Sequence, residues 1–426
     1  MPVEFGLAVE NFTPASRRPS GERILAYASA AESLGYRSLW VWDHLFLGNR
    51  RPFPFLEALS TLAALATRTS TVTLGTGVLV LPLRNPVVLA KEAATVDLLS
   101  GGRLCLGVAA GWYEREFQAC GVPFRARGRL FERNLEILDR LWREPEVSGV
   151  WDELDLRGVV MLPPPASHPR PQVLIGGYVD RVLRRVATMG DGWLTYFYRA
   201  QSFRSAWARI RDHAAEAGRD PDSLTNVAQL PICVSSSFED ADRRVRAFVA
   251  EYFDVAEWSQ STPDSAIRGT PEQCAEQLAE HVAAGEEHIV LVPCDYALDQ
   301  VERIAAEVLP ALRPRRALAS EAPPSGSTDP SAGTPACRRP SPPGGSAKSS
   351  GASPTCWPTS WYPPKPPCGW SATATTWPSA ARCTPARPWR CCSSCCARAA
   401  LASPSPARSP ATRLSYSWSA AWPTGS

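Results

Sequence analysis

One stretch, Thr73 to Glu116, constrains the fold most, because it contains the signals for a strand, a helix and a second strand in succession. Asn85 is a favourable N-cap, and Pro86 suits the first helical position, where its missing N–H costs nothing. The pair Gly101-Gly102 ends the helical pattern. Three elements are predicted: a strand over Thr71 to Thr76, a helix over Pro86 to Leu99, and a buried strand over Leu104 to Val108. Together they form a βαβ unit with a right-handed crossover.

Small residues occur where both predicted strands end, in Gly75-Thr76-Gly77 and in Ala109-Ala110-Gly111. The ends of neighbouring parallel strands meet at one edge of a sheet, so small residues there would let a flat ligand lie against the backbone. Glycines at these positions are also consistent with tight turns alone. The spacing by itself leaves both interpretations open.

Further motifs extend this pattern along the chain. They are, in order, Trp40-Val41-Trp42-Asp43-His44, Ile175-Gly176-Gly177, Gly190-Asp191-Gly192-Trp193 and Gly269-Thr270-Pro271-Glu272-Gln273. In joint order and spacing the motifs resemble the luciferase-like family of flavin- and deazaflavin-dependent oxidoreductases. That family includes bacterial luciferase, alkanesulfonate monooxygenases and coenzyme F420-dependent dehydrogenases and reductases. The resemblance covers about residues 3 to 313 of the chain.

The resemblance implies an α/β fold of the (β/α)8 TIM barrel type, with an insertion across the barrel mouth. Periodicity places the remaining strands at Val3–Val9, Ser38–Trp42, Val173–Ile175, Gly192–Thr195, Leu224–Val234 and His288–Val292. It places helices at 20–34, 55–67, 127–142, 179–189, 202–217, 239–257, 271–284 and 299–312, with capping boxes at Thr270 and at Asp299 to Glu302. The segment from Glu144 to Arg170 is predicted to be irregular and corresponds to the insertion.

His44 is the candidate catalytic residue. A histidine directly after a strand is more often a structural or capping group, and the neighbouring Asp43 alone changes little. Members of the resembled family place an Asp-His pair here against the flavin or deazaflavin. Because imidazole titrates near neutrality, His44 is suited to proton transfer.

The resemblance also implies the residues that hold the cofactor. They are Asp43, Thr76, Gly77, Val78, Ala110, Gly111, Trp112, Gly176, Gly177 and Tyr178. Similar F420 enzymes have a non-proline cis peptide at the position of Gly77–Val78, and we predict one here. The loop at Gly176-Gly177 precedes a helix whose N-terminus can bind phosphate, and Arg181, Arg184 and Arg185 could add positive charge.

Position 112 departs from one part of the family. Some F420-dependent sugar-phosphate dehydrogenases carry a catalytic Glu directly after the glycine that matches Gly111, whereas this chain has Trp112. Glu114 and Glu116 are nearby and could supply an acid, but a solvated helix start explains them as well. Trp112 and Tyr113 could instead wall the ring or the substrate pocket.

The C-terminal part of the chain has a different composition. Residues from Pro330 to Ser426 contain no Asp, Glu, Asn, Gln, His, Val, Ile, Phe or Met, yet they hold eight of the 13 cysteines. Nearly all their residue types have codons with G or C at the middle position, as expected when GC-rich DNA is read out of frame. We therefore predict two parts: a barrel over residues 1–315 and a disordered, out-of-frame tail over residues 316–426.

Charge and cysteine content exclude several classes of function. Residues 316–426 supply 11 of the 45 Lys+Arg and two of the 42 Asp+Glu, so residues 1–315 are acidic overall and nothing indicates nucleic-acid or membrane binding. The five cysteines before the tail lack metal-ligand spacing and are expected to be buried hydrophobic groups. No metal site, G-x-G-x-x-G fingerprint or membrane-spanning run is apparent. A cytoplasmic setting and a homodimer are expected.

Three functions remain open at this stage. The first is a coenzyme F420-dependent oxidoreductase that transfers hydride to or from a small organic substrate, whose identity the sequence does not indicate. The second is an FMNH2-dependent monooxygenase of the same fold. The third is a non-catalytic, cofactor-binding relative.

Overall fold

Eight parallel strands form a closed ring in the computed structural model, which describes residues 3–48, 52–252 and 262–312. The described residues contain eleven strands, which are, in chain order, β1 (Glu4–Ala8), β2 (Ser38–Val41), β3 (Thr73–Val80), β4 (Leu104–Ala109), β5 (Val147–Trp151), β6 (Leu154–Val159), β7 (Gln172–Gly176), β8 (Gly192–Tyr196), β9 (Thr225–Val234), β10 (Ile267–Gly269) and β11 (His288–Pro293). The ring order is β1-β2-β3-β4-β7-β8-β9-β11, and β11 pairs with β1 to complete it. β10 pairs with β9 outside the ring. The predicted (β/α)8 barrel is confirmed.

Helices alternate with the strands of the ring. They are α1 (Gly21–Ser33), α2 (Ala58–Ala66), α3 (Pro86–Ser100), α4 (Glu114–Ala119), α5 (Arg127–Arg143), α6 (Asp180–Met189), α7 (Ala200–Glu216), α8 (Phe238–Tyr252), α9 (Thr262–Ser265), α10 (Pro271–Ala284), α11 (Leu298–Arg303) and α12 (Leu309–Leu312), with a π-helical turn over Ile304–Val308. No helix within the described ranges is long and apolar enough to cross a membrane. The predicted tail, 316–426, and the end of the predicted helix 239–257 lie outside these ranges.

Local signals set the ends of several helices as predicted. The Asn85 side chain accepts hydrogen bonds from the N–H groups of Val87 and Val88 at the start of α3, and Gly101 ends that helix with a left-handed φ of 71°. Thr270 forms the predicted capping box at the start of α10. The second predicted capping box is wrong, because α11 begins after Ala297, which caps the helix without a side-chain hydrogen bond.

The segment from residue 144 to 170 differs from the prediction in two ways. It is not wholly irregular, since β5 and β6 form an antiparallel hairpin. It also does not line the cavity at the barrel mouth: Asp152 in the hairpin turn pairs with Arg129 and Arg133, and Trp151 donates a 3.1 Å hydrogen bond to Glu136. The hairpin therefore lies along α5.

Close backbone approaches fill the barrel interior. A Cβ atom built on Gly75 would lie 2.4 Å from the ring of Trp40, so only glycine leaves room for this indole. Below it, Ser38 Oγ and His288 Nε2 are 2.6 Å apart, next to Gly6. Burial lowers the pKa of His288 to about 4, so its imidazole is neutral in the folded protein at pH 7.

Four of the five predicted buried cysteines are buried, namely Cys105, Cys233, Cys274 and Cys294. Cys120 is exposed, contrary to the prediction. It follows α4 as the C-cap residue and lies outside the core.

Substitution of Gly75 by alanine should destabilise the barrel by about 1–3 kcal/mol, because the new methyl group overpacks the Trp40 site. Gly21→Ala is the matched control: no atom of the described residues lies within 4 Å of a Cβ there, so a neutral or slightly stabilising effect is expected. Urea unfolding followed by circular dichroism measures both. Equal stability of the two variants would contradict the proposed close packing.

The stability of the fold should fall as the pH drops from about 6.5 towards 4. Between these values the unfolded chain binds a proton at His288 that the folded protein does not bind, which favours unfolding by about 2–3 kcal/mol at pH 4.5. His288→Gln removes this contribution and should show a smaller difference between urea midpoints at pH 7.5 and pH 4.5. The same pH dependence in both proteins would show that His288 does not cause it.

Candidate active site

A cavity of about 890 Å³ opens where β2, β3, β4, β7 and β8 end. In (β/α)8 barrels this face carries the active site. Most of the residues predicted for the site line the cavity, namely Asp43, His44, Gly77, Val78, Ala110, Gly111, Trp112, Gly176, Gly177 and Tyr178. Ten of the eleven residues predicted for the site therefore lie in the cavity wall.

Thr76 is the exception. Its side chain is fully buried, and its hydroxyl donates a 2.8 Å hydrogen bond to the backbone carbonyl of Gly107. Side chains alternate along a strand, and since Gly75 and Gly77 face the barrel interior, Thr76 faces away from it. The side chain of Thr76 therefore does not line the cavity, and the predicted contact of Thr76 with a cofactor stays a prediction.

The Gly77–Val78 peptide is cis, as predicted. It lies within β3 rather than beyond it, at the point where the pairing of β3 with β4 shifts between Thr76 and Leu79. The strand thus extends beyond the predicted Thr71 to Thr76, because backbone pairing resumes after the shift and continues to Val80.

A residue that the sequence did not single out, Gln229, packs against this peptide. β9 lies opposite β3 in the ring, and a Cβ on Gly77 would be 2.0 Å from Gln229 Nε2. The Gln229 side chain therefore spans the barrel interior just below the cavity. Its Oε1 is buried and has no hydrogen-bond partner among the described residues.

His44 is held by a carboxylate. Its Nδ1 lies 2.9 Å from Oε2 of Glu116, and the two side chains are 9% and 1% exposed. A carboxylate can only accept a hydrogen bond, so the neutral ring carries its proton on Nδ1 and its lone pair on Nε2. Glu116 thus fixes both the tautomer and the orientation of the imidazole.

The prediction that Glu116 belongs to a solvated helix start is wrong. Its Oε1 also accepts hydrogen bonds from the N–H of Leu45 at 2.6 Å and from that of Phe46 at 3.3 Å. The Glu116 carboxylate therefore ties the segment after β2 to α4. Glu114, two residues earlier, is exposed, as expected for a solvated helix start.

Asp43 lies in the cavity wall, but its oxygens are engaged within the protein. One accepts a 2.9 Å hydrogen bond from the N–H of Val80, and the other a 2.7 Å bond from Arg84, which also pairs with Glu57. Burial raises the pKa of Asp43 above its usual value, and Arg84 opposes this increase. Asp43 therefore supports the end of β3, and its predicted contact with a cofactor stays a prediction.

Aromatic side chains surround His44. The ring of Trp112 lies 6.0 Å from the imidazole and that of Phe55 lies 5.6 Å from it, both edge-on. Trp42 and Phe197 approach each other at 6.3 Å, and both line the cavity. We call Trp42, His44, Val80, Trp112 and Phe197 the aromatic end of the cavity.

The other side of the cavity is basic. Its lining includes the side chains that we call the arginine end: Arg125, Arg127, Arg129, Arg181 and Arg185. Of the three arginines predicted near the phosphate loop, Arg181 and Arg185 line the cavity, whereas Arg184 pairs with Asp180 on the outside. Arg185 is itself positioned by a 2.7 Å hydrogen bond to Glu132.

The first turn of α6 contributes to the arginine end. Val179 and Val182 line the cavity, and no side chain caps this helix terminus. The carbonyl of Gly177 is held by a 2.9 Å hydrogen bond from Trp193 Nε1, and Tyr178 donates a 2.7 Å bond to the carbonyl of Tyr196. A helix N-terminus beside arginines is suited to binding a phosphate.

A sequence model of the luciferase-like monooxygenase family matches residues 3–288. The chain belongs to this family. The family assignment is consistent with the barrel, with the cavity at the strand ends and with the predicted resemblance. Its members include F420-dependent and FMNH2-dependent oxidoreductases, so the protein is an oxidoreductase of the flavin or deazaflavin class.

Named relatives use either cofactor. The chain is 31% identical over 227 residues to an F420-dependent hydroxymycolic acid dehydrogenase of Mycobacterium tuberculosis, covering 49% of this chain and 58% of the relative. It is 24% identical over 266 residues to an FMNH(2)-dependent dimethylsulfone monooxygenase of Pseudomonas putida, covering 54% and 71%. An F420-dependent secondary alcohol dehydrogenase, solved with an F420-acetone adduct, superposes with a TM-score of 0.61 at 18% identity over 74% of this chain and all of that one. The superposition shows the common fold.

Among the residues that the structure describes, no group of three or more His, Cys, Asp or Glu side chains could hold a metal ion.

Replacement of Glu116 by glutamine should reduce turnover by about 10–100-fold, because the charged group that orients His44 is lost. Cofactor affinity should change little, since Glu116 is turned away from the cavity. Turnover with reduced cofactor and equilibrium binding of oxidised cofactor measure the two effects.

Glu114→Gln on the same helix is the matched control and should leave both quantities unchanged. Nitrogen-15 NMR of the five histidines reports the His44 tautomer directly in each variant. If Glu116→Gln retained the turnover of Glu114→Gln, the positioning role of Glu116 would be excluded.

Proposed function

We propose that the protein is a coenzyme F420-dependent oxidoreductase that transfers hydride between the deazaflavin and a small organic substrate. The observation that carries this proposal is the amount of positive charge at the arginine end. The cavity shape, the cis peptide at Gly77 and His44 are compatible with either a flavin or a deazaflavin.

The arginine end has more positive charge than a single phosphate needs. Among the described residues, Arg125, Arg127 and Arg181 form no ion pair, whereas Arg129 pairs with Asp152 and Arg185 with Glu132. The N-terminus of α6 together with one arginine could bind the terminal phosphate of FMN. F420 carries a phosphodiester followed by glutamate carboxylates, and these further anions would complement the remaining arginines.

The backbone at the strand ends fits a flat ring. Gly77 and Val78 on β3 face the cavity, and so do Ala110 and Gly111 after β4. The missing side chain of Gly111 would meet Val80 and Phe117 rather than the cavity, so its backbone can lie directly against a ligand. We assign the ring to these residues and the phosphate to Gly176, Gly177, Tyr178 and the start of α6.

When bound, the deazaflavin would accept or supply the hydride. His44 would exchange a proton with the substrate oxygen at Nε2, because Glu116 holds the proton on Nδ1. The Glu116 carboxylate would stabilise the positive charge that the ring acquires on taking up a second proton. The surrounding rings of Trp112 and Phe55 would keep water from the reacting atoms.

The alternative function is an FMNH2-dependent monooxygenase. The similarity to the dimethylsulfone monooxygenase of Pseudomonas putida favours it. The third function, a non-catalytic cofactor-binding protein, would share the cavity but show no turnover with either reduced cofactor.

Binding of F420 and FMN to the full chain tests the proposal. We expect F420 to bind at least tenfold more tightly, measured by fluorescence titration at two salt concentrations. The double variant Arg125→Glu, Arg127→Glu should weaken F420 binding by roughly tenfold and FMN binding by clearly less, because both arginines lie outside α6, whose start is assigned to the phosphate.

Arg157→Glu is the control, since Arg157 is an exposed residue of the hairpin and does not line the cavity. Tighter binding of FMN than of F420, or an equal effect of the double variant on both cofactors, would overturn the F420 assignment. Binding of F420 without any reduction or oxidation of alcohols, ketones or enones would favour the non-catalytic alternative.

A further inference from the structure

A buried amide with an unpaired oxygen lies next to the cavity. The Gln229 side chain belongs to β9, the residue is 1% exposed, and its Oε1 has no hydrogen-bond partner among the described residues. A buried carbonyl oxygen normally accepts at least one hydrogen bond, because an unpaired one loses its hydration without compensation. The Gln229 amide therefore lowers the stability of the protein alone, which indicates a role other than folding.

Strand pairing places Gln229 at the depth of the cavity floor. Gln229 is the register partner of Tyr196, the last residue of β8, and its backbone carbonyl accepts a 2.9 Å hydrogen bond from the N–H of Phe197. Tyr196 and Phe197 both line the cavity. Paired residues of neighbouring strands point to the same face of a sheet, so Gln229 points into the barrel as Tyr196 does.

The amide group of Gln229 reaches the opposite wall of the barrel. A Cβ atom built on Gly77 would lie 3.6 Å from Oε1 of Gln229 and 3.2 Å from its Cδ, with Nε2 closer still. Gly77 lines the cavity and belongs to β3, which lies opposite β9 in the ring. The unpaired oxygen is therefore in contact range of a residue of the cavity floor.

A ring cofactor can supply the missing hydrogen-bond donor. The proposed function assigns the ring to the surface of Gly77 and Val78, which is where the Gln229 amide ends. Oxidised F420 and oxidised FMN each carry one ring N–H, on the pyrimidine part between two carbonyl groups. An amide oxygen is an acceptor that such an N–H can use.

We propose that Gln229 is a ring-binding residue of the cofactor site and that its Oε1 accepts a hydrogen bond from the ring N–H. The position of the ring rests on the proposed function. The choice between F420 and FMN does not enter, because the two rings share this N–H.

The substitution Gln229→Met tests the proposal, because it keeps the length of the side chain and removes the amide. Binding of F420 and of FMN to the full chain, measured by fluorescence titration, should each weaken by about tenfold. Without cofactor, the urea midpoint of the variant should be unchanged or higher, since an apolar group replaces an unpaired acceptor. A lower midpoint with unchanged cofactor binding would show that the amide serves the fold alone and would overturn the proposal.

Asn226→Leu is the matched control on the same strand. Asn226 is also 1% exposed, but its amide is bonded at both ends, to the carbonyl of Gly285 at 3.0 Å and to the N–H of Glu287 at 2.9 Å. This variant should lower the urea midpoint and leave cofactor affinity unchanged. The two substitutions thus separate a binding amide from a structural one by opposite results in the same two measurements.

A modified ligand tests the donor itself. 3-Methyl-FMN has a methyl group in place of the ring N–H and should bind the unmodified protein about tenfold more weakly than FMN does. This difference should largely disappear in Gln229→Met, because the acceptor is already absent there. An equal difference in both proteins would overturn the proposal. Equal affinities of the unmodified protein for F420 and FMN would remove the F420 assignment only, since the loss caused by Gln229→Met would still be expected.

Discussion

The buried carboxylate of Glu116 is the interaction on which the geometry of the site depends. It joins α4 to the segment after β2 through the imidazole of His44 and two backbone N–H groups. These two parts of the chain belong to different βα units, so without this contact each loop could take its own conformation. An imidazole that must meet a substrate atom within a few tenths of an ångström needs such a support. The catalytic candidate and its orienting group are therefore one structural unit.

Local signals were sufficient for much of the fold. Asn85, Pro86 and Gly101 define α3 because caps and helix ends depend on the nearest residues alone. Short apolar runs gave the buried strands, because a strand covered on both faces has no polar side. The hairpin of β5 and β6 was missed, since its residues are largely exposed and carry no continuous apolar pattern.

The cavity wall could be predicted from family motifs, but the polar contacts within it could not. Glu116 is 72 residues from His44, and the sequence around it is compatible with an exposed helix start. Gln229 reaches Gly77 from the opposite side of the ring, a relation that no local spacing reveals. The side chain of Thr76 lies outside the cavity for a geometric reason: the alternation of the strand turns it away from the glycines on either side. Long-range contacts and strand facing thus account for the errors at the site.

The position of the hairpin has a consequence for how this scaffold can vary. Because β5 and β6 lie along α5 and contribute nothing to the cavity wall, changes in their length or composition would leave the reacting groups in place. The hairpin turn does reach one residue of the arginine end, because Asp152 pairs with Arg129. A dye or an affinity tag is therefore better attached at the exposed Arg157 of the hairpin, which does not line the cavity, than at the Asp152 turn.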